Sequence, residues 1–323
     1  TVAVLPARMY APLRRINRLC GHIEANPKPL TTSKVSGSCD GVVVITGGGA
    51  GIGQATTLRM LKRGCTVVVM DFNPKAIKAT EELAKKAGYP GKIVGVVADI
   101  RDPKGRAAVG EAVKSTGKPL RVLIHNAGVN TPCKMMMDLS DKEWGRVMDI
   151  NMNGPLYLTQ VLYPLFGKTN TDANRILFLT TIATMCTGLP NYGPYCVSKL
   201  GAKGVAKMLK EELPKGKTPV HCGTLIPGEV NTGMQAATAY SSSSGFPEHL
   251  VKHWRMLHET KQLLPPAVPG KFISYVCLDT SASEFGSEKD WFVYDKFHHK
   301  KWATEFLSKG VKIVEPRGLA GDH

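Results

Sequence analysis

The sequence predicts an α/β fold in which a parallel, doubly wound sheet of seven strands forms a single domain with a lid segment. Short apolar runs alternate with helical patterns from Asp40 to Asp295, the order that builds a sheet covered by crossover helices. Runs such as 42–45 and 121–124 are largely apolar, which is typical of parallel strands buried on both faces. A chain of 323 residues with 43% hydrophobic and 21% charged residues can bury one large core.

Each element is placed by its hydrophobic period and its end signals. Strands are predicted at residues 42–46, 66–71, 92–98, 121–125, 175–180, 220–226 and 291–294. Helices are predicted at residues 51–63, 74–87, 103–116, 140–166, 190–213 and 265–279. The start of the long fourth helix is the clearest, because Ser140 and Glu143 have the spacing of a capping box.

Three segments fall outside this alternation. Residues 231–264 hold a run of serines followed by a glycine and a proline, and so long an excursion at the edge of a sheet is typical of a lid. Residues 296–323 form a mixed-charge C-terminal tail with no predicted role. Residues 1–39 form an Arg-rich extension without an acidic residue before Glu24. It resembles a mitochondrial targeting segment, which predicts a matrix location; the alternative is a disordered or surface-packed extension of a cytoplasmic protein.

Composition argues against several other classes of function. The net charge of +16 invites a nucleic-acid hypothesis, but Lys and Arg never run longer than two in a row and lack interleaved aromatic residues. Such dispersed charge is typical of a solvated surface, so no nucleic-acid partner is predicted. No apolar run is long enough to span a bilayer. The eight cysteines form no Cys-x-x-Cys pair, which favours a reducing compartment and no bound metal.

The stretch 46–53 reads Thr-Gly-Gly-Gly-Ala-Gly-Ile-Gly and connects a predicted strand to a predicted helix. Glycines let the backbone approach a ligand closely, and the free N–H groups of a helix N-terminus favour negative charge. A strand, a glycine-rich turn and a helix in this order predict a site for the pyrophosphate of a dinucleotide, formed by Gly47, Gly51, Ile52 and Gly53.

Asp71 ends the strand that follows this helix. An acidic side chain there accepts hydrogen bonds from the adenosine ribose hydroxyls and repels a 2′-phosphate. Phe72, and not a basic residue, comes next, and the glycine-rich stretch holds no Lys or Arg. NAD is therefore the predicted cofactor. The alternative is that Asp71 only begins the turn at 71–74.

Tyr195 and Lys199 are four positions apart in the predicted helix 190–213, so both side chains lie on one helix face. A free tyrosine hydroxyl has a pKa of about 10, too high for acid–base catalysis at neutral pH. A neighbouring ammonium and an oxidised nicotinamide both favour phenolate and are expected to lower this pKa, by about three units or ~4 kcal/mol. Such pairs also occur by chance in many helices. The pair alone therefore does not predict a catalytic site, and other motifs must support it.

Taken in order, these motifs resemble those of the short-chain dehydrogenase/reductase family, over about Asp40 to Asp295. The motifs that carry the resemblance are Thr46-Gly47-x-x-x-Gly51-x-Gly53, Asp71, Asp99, Asn126-Ala127-Gly128, Asn151, Tyr195-x-x-x-Lys199 and Pro227-Gly228-x-Val230-x-Thr232. Their joint occurrence in this order is highly specific. The resemblance implies a Rossmann-type sheet, a nicotinamide cofactor and a small alcohol or carbonyl substrate.

The resemblance also implies roles for the matching residues. Asn151 would hold a water that relays protons to Lys199, and Tyr195 would exchange the substrate's hydroxyl proton. The implied cofactor contacts are Asp99 and Ile100 with the adenine, Asn126 and Gly128 with the middle of the pocket, Tyr195 and Lys199 with the nicotinamide end, and Pro227, Gly228, Val230 and Thr232 with nicotinamide and pyrophosphate.

The chain departs from the family's pattern at three places. The family's catalytic serine matches Thr181, which is also one residue further from Tyr195 than is usual. A threonine hydroxyl still donates and accepts hydrogen bonds, although its β-branch restricts χ1 and crowds the substrate. His125 precedes Asn126 where the family often has a second Asn, and the last strand ends at 293–296 without the usual two glycines.

Together the motifs predict an NAD-dependent alcohol dehydrogenase or carbonyl reductase with Asn151, Thr181, Tyr195 and Lys199 as catalytic residues. Methionines at 135–137, 185 and 234, with Trp254, predict a site for a bulky apolar substrate. By resemblance, helices 140–166 and 190–213 would form the interface of a homodimer or homotetramer. The alternative function is a non-catalytic NAD-binding or scaffold protein that lost turnover through Thr181.

Overall fold

The computed structural model describes residues 40–184, 189–240, 245–246, 248–287 and 290–315. It confirms the predicted α/β fold with a parallel sheet of seven strands in the order β3-β2-β1-β4-β5-β6-β7. The strands are β1 (Val42–Thr46), β2 (Thr66–Asp71), β3 (Lys92–Val97), β4 (Leu120–His125), β5 (Arg175–Leu179), β6 (His221–Ile226) and β7 (Trp291–Phe292).

Helices cover both faces of the sheet. In chain order they are α1 (Gly51–Lys62), α2 (Pro74–Lys86), α3 (Pro103–Ser115), α4 (Asp141–Met148), α5 (Gly154–Leu162), α6 (Gly193–Glu212), α7 (Gly233–Tyr240), α8 (Glu248–Glu259), α9 (Ala267–Leu278), α10 (Ala282–Ser287), α11 (Lys296–Trp302) and α12 (Thr304–Leu307). Asn73 and Asp102 cap α2 and α3 by accepting from the backbone N–H of the second residue of each helix, Lys75 and Lys104, and Ser140 with Glu143 forms the predicted capping box of α4.

Two apolar layers lie on opposite faces of the sheet, because successive strand residues point to opposite sides. Val43 and Ile45 of β1 pack in one layer with Phe272 of α9. Val42 and Val44 pack in the other layer. All five residues of β1 are buried, which explains why its sequence shows no polar alternation.

The sheet order reverses between β1 and β4, which flank the switch point of the doubly wound topology. At such a point the connections after neighbouring strands leave in opposite directions and open a crevice beyond the carboxyl ends. The glycine-rich stretch after β1 and the segment 126–128 after β4 both begin at this crevice.

The predicted helix 140–166 is present as a continuous helical stretch from Asp141 to Leu165, but it contains a π-helical turn that the sequence-based expectation lacked. α4 ends at Met148, a π-helical turn covers Asp149–Asn153, and α5 follows. The physical reason lies in Gly154 and Pro155: proline has no N–H to donate to the carbonyl four residues earlier, so a regular helix cannot pass this point. A Cβ on Gly154 would lie 2.7 Å from the carbonyl oxygen of Asp149, so the tight turn also excludes larger residues.

The lid segment and the tail contain structure that the sequence did not predict in detail. The segment 231–264, predicted as a lid, contains α7 and α8, and α10, α11 and α12 follow α9 around the short strand β7. Trp302 and Ile313 are buried in the layer that contains α9, because the tail to residue 315 folds back onto that face. The predicted extension 1–39 and the end of the tail at 316–323 lie outside the described residues.

Cys133, Cys196, Cys222 and Cys277 are buried and not disulfide-bonded. Cys65 is disulfide-bonded, which corrects the expectation that the cysteines are all reduced. Within the described residues, no cluster of three or more His, Cys, Asp or Glu side chains could hold a metal ion. In the same part of the chain, no helix combines the length and apolar character needed to cross a membrane.

Candidate active site

The glycine-rich stretch forms a tight turn between β1 and α1. Gly47 and Gly51 have φ of +63° and +52°, in the left-handed region that favours glycine. Gly53 serves a different purpose: a Cβ there would lie 2.0 Å from the carbonyl oxygen of Gly47 and 2.5 Å from Nδ2 of Asn126. Only a residue without a side chain lets the first turn of α1 approach the loop so closely.

We expect Gly53→Ala to weaken nicotinamide dinucleotide binding and to destabilise the protein by about 1–3 kcal/mol, as overpacking of a tight site does. Thermal unfolding and a titration with NADH measure the two effects. Gly204→Ala on α6 is the matched control, because a Cβ there meets nothing within 4 Å and alanine favours a helix. Equal behaviour of the two variants would contradict the packing role of Gly53.

Asp71 is held in place at the end of β2. One carboxylate oxygen accepts from the backbone N–H of Gly49 at 3.0 Å, and the other accepts from that of Asn73 at 3.0 Å. The residue is only 7% exposed yet forms part of the wall of the cleft beside the loop. The side chain therefore presents a fixed negative charge where the sequence predicts the adenosine ribose.

The cleft has a volume of about 500 Å³ and runs along the carboxyl ends of β1, β2, β4 and β5. Most predicted cofactor-binding residues line it: Gly47, Gly51, Ile52, Asp71, Asp99, Ile100, Asn126, Gly128, Tyr195, Lys199, Pro227 and Thr232. Its wall also contains residues for which sequence reasoning predicted no place in the site: Phe72, Arg101, Arg146, Ile150 and Thr180. These carry no motif, and only the fold places them here.

Gly53, Gly228 and Val230 do not line the cleft. Gly53 packs against the loop, as above. Gly228 has φ of +81° and a Cβ there would lie 2.7 Å from the ring of Tyr294. Val230 is 6% exposed and belongs to the apolar layer on the α9 face. Their position indicates that they shape the loops around the cleft rather than its surface.

Asp99 is paired within the chain. Its carboxylate accepts from Arg101 Nη2 at 2.5 Å and from the backbone N–H of Arg101 at 2.9 Å. The Arg101 hydrogen bonds hold the pKa of Asp99 below its usual value, with a weaker contribution from the charge of Arg146. Asp99 is thus an anion paired with Arg101, at the end of the cleft where the adenine is expected.

Asn126 ties β4 to the glycine loop. Its Nδ2 donates to the carbonyl oxygens of Thr46 at 2.9 Å and Gly47 at 3.0 Å. In return, Oγ1 of Thr46 accepts from the backbone N–H groups of Asn126 and Ala127 at 3.1 Å and 3.0 Å. The two sides of the crevice are therefore fixed relative to each other without a ligand.

Asn151 lies in the π-helical turn and is 2% exposed. Its side chain accepts from the backbone N–H of Val129 and donates to the carbonyl oxygen of Val129, both at 2.8 Å. Nδ2 also donates to Oγ of Ser198 at 2.9 Å. A Cβ on Gly128 would lie 3.2 Å from Oδ1 of Asn151 and 3.5 Å from Nζ of Lys199. The side chain of Asn151 thus positions the segment after β4 beside Lys199.

Tyr195 and Thr181 come together above the end of β5. The side chain of Thr181 acts on the phenol of Tyr195 in the direction that lowers its pKa. The neighbouring Thr180 also lines the cleft, but its hydroxyl is engaged elsewhere, since Oγ1 donates to the carbonyl oxygen of Leu225 at 3.3 Å. The hydroxyls of the adjacent threonines therefore have different partners, and Thr181 is the one beside the phenol.

Burial is the largest influence on Tyr195 and raises its pKa to about 12. This corrects the expected lowered pKa for the protein without a bound cofactor, because desolvation of the phenolate outweighs the influence of Thr181. Nζ of Lys199 lies 5.9 Å from the centre of the Tyr195 ring and donates to the carbonyl oxygen of Leu179 at 2.8 Å. Burial also lowers the pKa of Lys199, to about 8.

His125 occupies the position where the family often has a second Asn. It is 3% exposed, and its Nε2 is 2.8 Å from Oγ1 of Thr159. Burial, followed by the charge of Lys199, lowers the pKa of His125 to about 3. The imidazole is therefore neutral at physiological pH and serves to pack β4 against α5.

Glu229 is a titratable group that sequence reasoning did not single out. It lies in the loop after β6, and its backbone N–H donates to the hydroxyl of Tyr294 at 2.9 Å. Burial, and then the charge of Glu315, raise the pKa of Glu229 to about 7. Its negative charge in turn raises the pKa of Tyr195. The ionisation of Glu229 thus affects the phenol near neutral pH.

An apolar cluster covers Tyr195 from the lid side. Phe246, Leu250 and Trp254 of the lid pack there with Tyr192. Among the methionines predicted at the substrate site, Met234 lines the cleft, while Met135, Met136 and Met137 are 61%, 44% and 86% exposed. Met185 lies outside the described residues.

Comparison with known proteins identifies the family of this chain. A family model described as short chain dehydrogenase matches residues 41–252, the range that contains the glycine loop, Asp71, Asn151 and Tyr195. The chain belongs to the short chain dehydrogenase family. As a member it is an oxidoreductase with a nicotinamide cofactor, NAD or NADP.

Individual relatives are distant. Oxidoreductase UcpA of Escherichia coli (strain K12) is 25% identical over 248 residues, covering 76% of this chain and 90% of that protein. The 17-beta-hydroxysteroid dehydrogenase 13 of Homo sapiens is 30% identical over 195 residues, covering 59% of this chain and 62% of that protein. A solved short chain dehydrogenase/reductase from Saccharomyces cerevisiae matches with a TM-score of 0.70 and 23% identity, covering 80% and 97% of the two chains. The last likeness supports the fold alone.

Proposed function

We propose that this short chain dehydrogenase is an NAD-dependent alcohol dehydrogenase or carbonyl reductase that acts on a bulky apolar alcohol or carbonyl compound. The observation that carries the proposal is the convergence of three groups: the Thr181 side chain acts to lower the pKa of the Tyr195 phenol, and Nζ of Lys199 lies 5.9 Å from the centre of the phenol ring. A phenol, a second hydroxyl and an ammonium converge at the inner end of a cleft suited to a dinucleotide. That combination supports proton exchange with a substrate oxygen.

The cofactor, when bound, accepts or supplies a hydride at the nicotinamide ring. This chain's own residues perform the remaining work. Tyr195 gives its hydroxyl proton to a carbonyl oxygen or takes one from an alcohol. Thr181 orients that oxygen through its hydroxyl, and Lys199 contributes positive charge that stabilises the phenolate. Asn151 fixes the segment after β4 that borders Lys199.

The preference for NAD rests on Asp71. Its carboxylate is anchored by two backbone N–H groups and faces the cleft, where it would repel a 2′-phosphate.

We expect Asp71→Ala to narrow the difference in affinity between NAD(H) and NADP(H), chiefly by improving NADP(H) binding. Titrations of wild type and variant with both cofactors measure this. If the wild type binds NADP(H) as tightly as NAD(H) or more tightly, the proposed preference for NAD is wrong.

The substrate class is tested by activity. Purified protein is mixed with NAD or NADH and a series of alcohols, ketones and diketones of increasing apolar size, and NADH absorbance is followed. Turnover that grows with apolar bulk supports the proposal. If NADH binds but no compound in the series is converted, the non-catalytic NAD-binding or scaffold function is favoured instead.

We also propose that the protein is a homodimer or homotetramer. Val197, Leu200 and Met208 on α6 are 40%, 48% and 59% exposed, and Tyr157 and Val161 on α5 are 44% and 39% exposed. Apolar side chains exposed along two helices support their burial against a second copy. Light scattering measures the mass of the particle, and a monomer at all concentrations would refute this.

For residues 1–39 we propose mitochondrial targeting, on sequence grounds alone: the segment is Arg-rich, amphipathic and almost free of acidic residues. A fusion of this segment to a reporter protein should then enter the mitochondrial matrix. A reporter that stays in the cytoplasm would support the alternative of a surface extension.

A further inference from the structure

The two short helices α11 and α12 after β7 form one amphipathic helical segment that is interrupted only at Ala303. Hydrogen bonds between residues four apart continue across the interruption. The N–H of Ala303 donates to the carbonyl oxygen of His299 at 2.8 Å, and the N–H of Leu307 donates to that of Ala303 at 3.1 Å. At about 3.6 residues per turn, the exposed positions 296, 297, 300, 304 and 307 fall within an arc of about 100°. These five positions are called the outer face below.

The opposite, inner face of this segment is packed firmly on the rest of the protein. The ring of Trp302 lies 4.7 Å from the ring of Phe272 on α9, measured between centroids. Nε2 of His299 is 2.9 Å from the carbonyl oxygen of Val293. Trp302 and His299 are 3% and 7% exposed. Because the inner face is anchored in this way, the outer face has a fixed shape without a ligand.

The outer face combines apolar and cationic side chains. Phe297 is 77% exposed and Leu307 is 45% exposed, although large apolar side chains gain free energy by leaving water. Lys296 and Lys300 lie on either side of Phe297 in the sequence, and both are exposed. An exposed aromatic ring beside two lysines fits a partner that offers both negative charge and an apolar layer.

The carboxylates of this segment and of the neighbouring α10 are already engaged within the chain. Glu305 pairs with Lys271 at 2.7 Å, and Glu284 of α10 pairs with Lys301 at 2.8 Å. Asp295 caps α11 by accepting from the backbone N–H two residues later. In the part of the chain that the structure describes, no salt bridge includes either lysine of the outer face. The outer face therefore keeps unpaired positive charge.

We propose that the outer face of α11 and α12 is a docking surface for an anionic lipid bilayer. Phe297 and Leu307 enter the boundary between headgroups and acyl chains, while Lys296 and Lys300 bind anionic headgroups. The attachment is peripheral, and it does not depend on the proposed catalytic function.

Charge complementarity and apolar exposure together favour this partner. The face carries unpaired lysines, and the whole chain has a net charge of +16, which attracts it to an anionic surface. A nucleic acid also carries negative charge and can stack a base on Phe297. It offers no apolar layer for the aliphatic side chain of Leu307, whereas a bilayer does.

Vesicle binding tests the docking surface with the whole chain. The protein is mixed with vesicles of phosphatidylcholine alone or of equal parts phosphatidylcholine and phosphatidylserine, and the bound fraction is measured by sedimentation. We expect binding to the anionic vesicles only, and weaker binding as salt is added. Phe297→Ser should lower the apparent affinity roughly 10- to 100-fold. Neutralising both lysines, in Lys296→Gln with Lys300→Gln, should lower it roughly 30-fold.

Lys85→Gln with Lys86→Gln is the matched control, because it removes the same two charges from exposed positions at the end of α2. The strands β2 and β3 beside α2 lie at the opposite edge of the sheet from β7. This variant should bind anionic vesicles like the wild type. Thermal unfolding should be the same for all variants, since every changed side chain is exposed.

Four results would overturn the proposal. The wild type does not bind anionic vesicles, or both double variants weaken binding equally, which would indicate a general charge effect. Phe297→Ser keeps the wild-type affinity for the vesicles. Finally, light scattering shows that Phe297→Ser lowers the mass of the particle, or the wild type binds a single-stranded oligonucleotide through the same residues. These last results would assign the outer face to a second copy of the chain or to nucleic acid.

Discussion

Tyr195→Phe is expected to abolish turnover while NADH affinity changes by no more than a few-fold. The substitution removes one hydroxyl and keeps the ring that stacks on Tyr192, so the fold and the cleft wall persist. Without the phenol, no group at this place gives or takes the substrate proton, and general acid–base catalysis contributes about 10²- to 10⁴-fold to a rate. Steady-state kinetics and an NADH titration on the same preparation measure both parts.

The pH dependence of the wild type follows from the same group. Burial raises the pKa of Tyr195 to about 12, so the phenol is protonated at neutral pH in the absence of ligands. Carbonyl reduction needs this protonated form, and alcohol oxidation needs the phenolate. Oxidation should therefore rise with pH and reduction should fall. Lys199 loses its proton with a pKa of about 8, and above that pH its support of the phenolate declines.

If Tyr195→Phe keeps its turnover, another residue must exchange the proton with the substrate. The catalytic role that the family resemblance implies for Tyr195 would then be wrong. Lys199→Ala is the informative companion variant. Lys199 lies beside both the phenol and Gly128, so its loss should reduce turnover and cofactor affinity together. A variant that lost turnover alone would show that Lys199 does not contact the cofactor.

Thr181→Val is expected to lower kcat/KM by roughly 10²- to 10³-fold, on the scale of about 2–4 kcal/mol for losing one donor to a reacting oxygen. Valine keeps the β-branched shape and removes the hydroxyl that acts on the phenol of Tyr195. Thr181→Ser should keep or raise activity, because it retains the hydroxyl and relieves crowding by the methyl group. Kinetics on every active substrate measure these changes.

Thr180→Val is the matched control for Thr181. The two residues are adjacent, but Thr180 donates to the carbonyl oxygen of Leu225 and should therefore matter less for catalysis. If Thr181→Val has wild-type activity on all substrates, the hydroxyl of Thr181 does not take part in catalysis. If the wild type converts no substrate but Thr181→Ser does, the natural chain is a non-catalytic NAD-binding or scaffold protein that lost turnover through Thr181.

The sequence by itself determined the elements whose signal is local. Buried runs such as Val42–Thr46 predicted the strands, because a parallel strand covered on both faces shows little polar alternation. The glycine loop and Asp71 were predictable for a similar reason. Their function requires a particular backbone shape or charge directly after a strand, and the residue types follow from that requirement.

Only the tertiary structure decided which other side chains reach the cleft and how ionisable groups behave in it. Arg146 is an ordinary helix residue in the sequence, and the packing of α4 brings it to the cleft wall. The raised pKa of Tyr195 and the lowered pKa of Lys199 arise chiefly from burial, which depends on residues distant in the chain. The hydrogen bond from Asn130 to Thr238 also depends on the fold, because the two residues are 108 positions apart in the chain. Local pattern predicts backbone shape, whereas desolvation and long-range contacts exist only once the chain has folded.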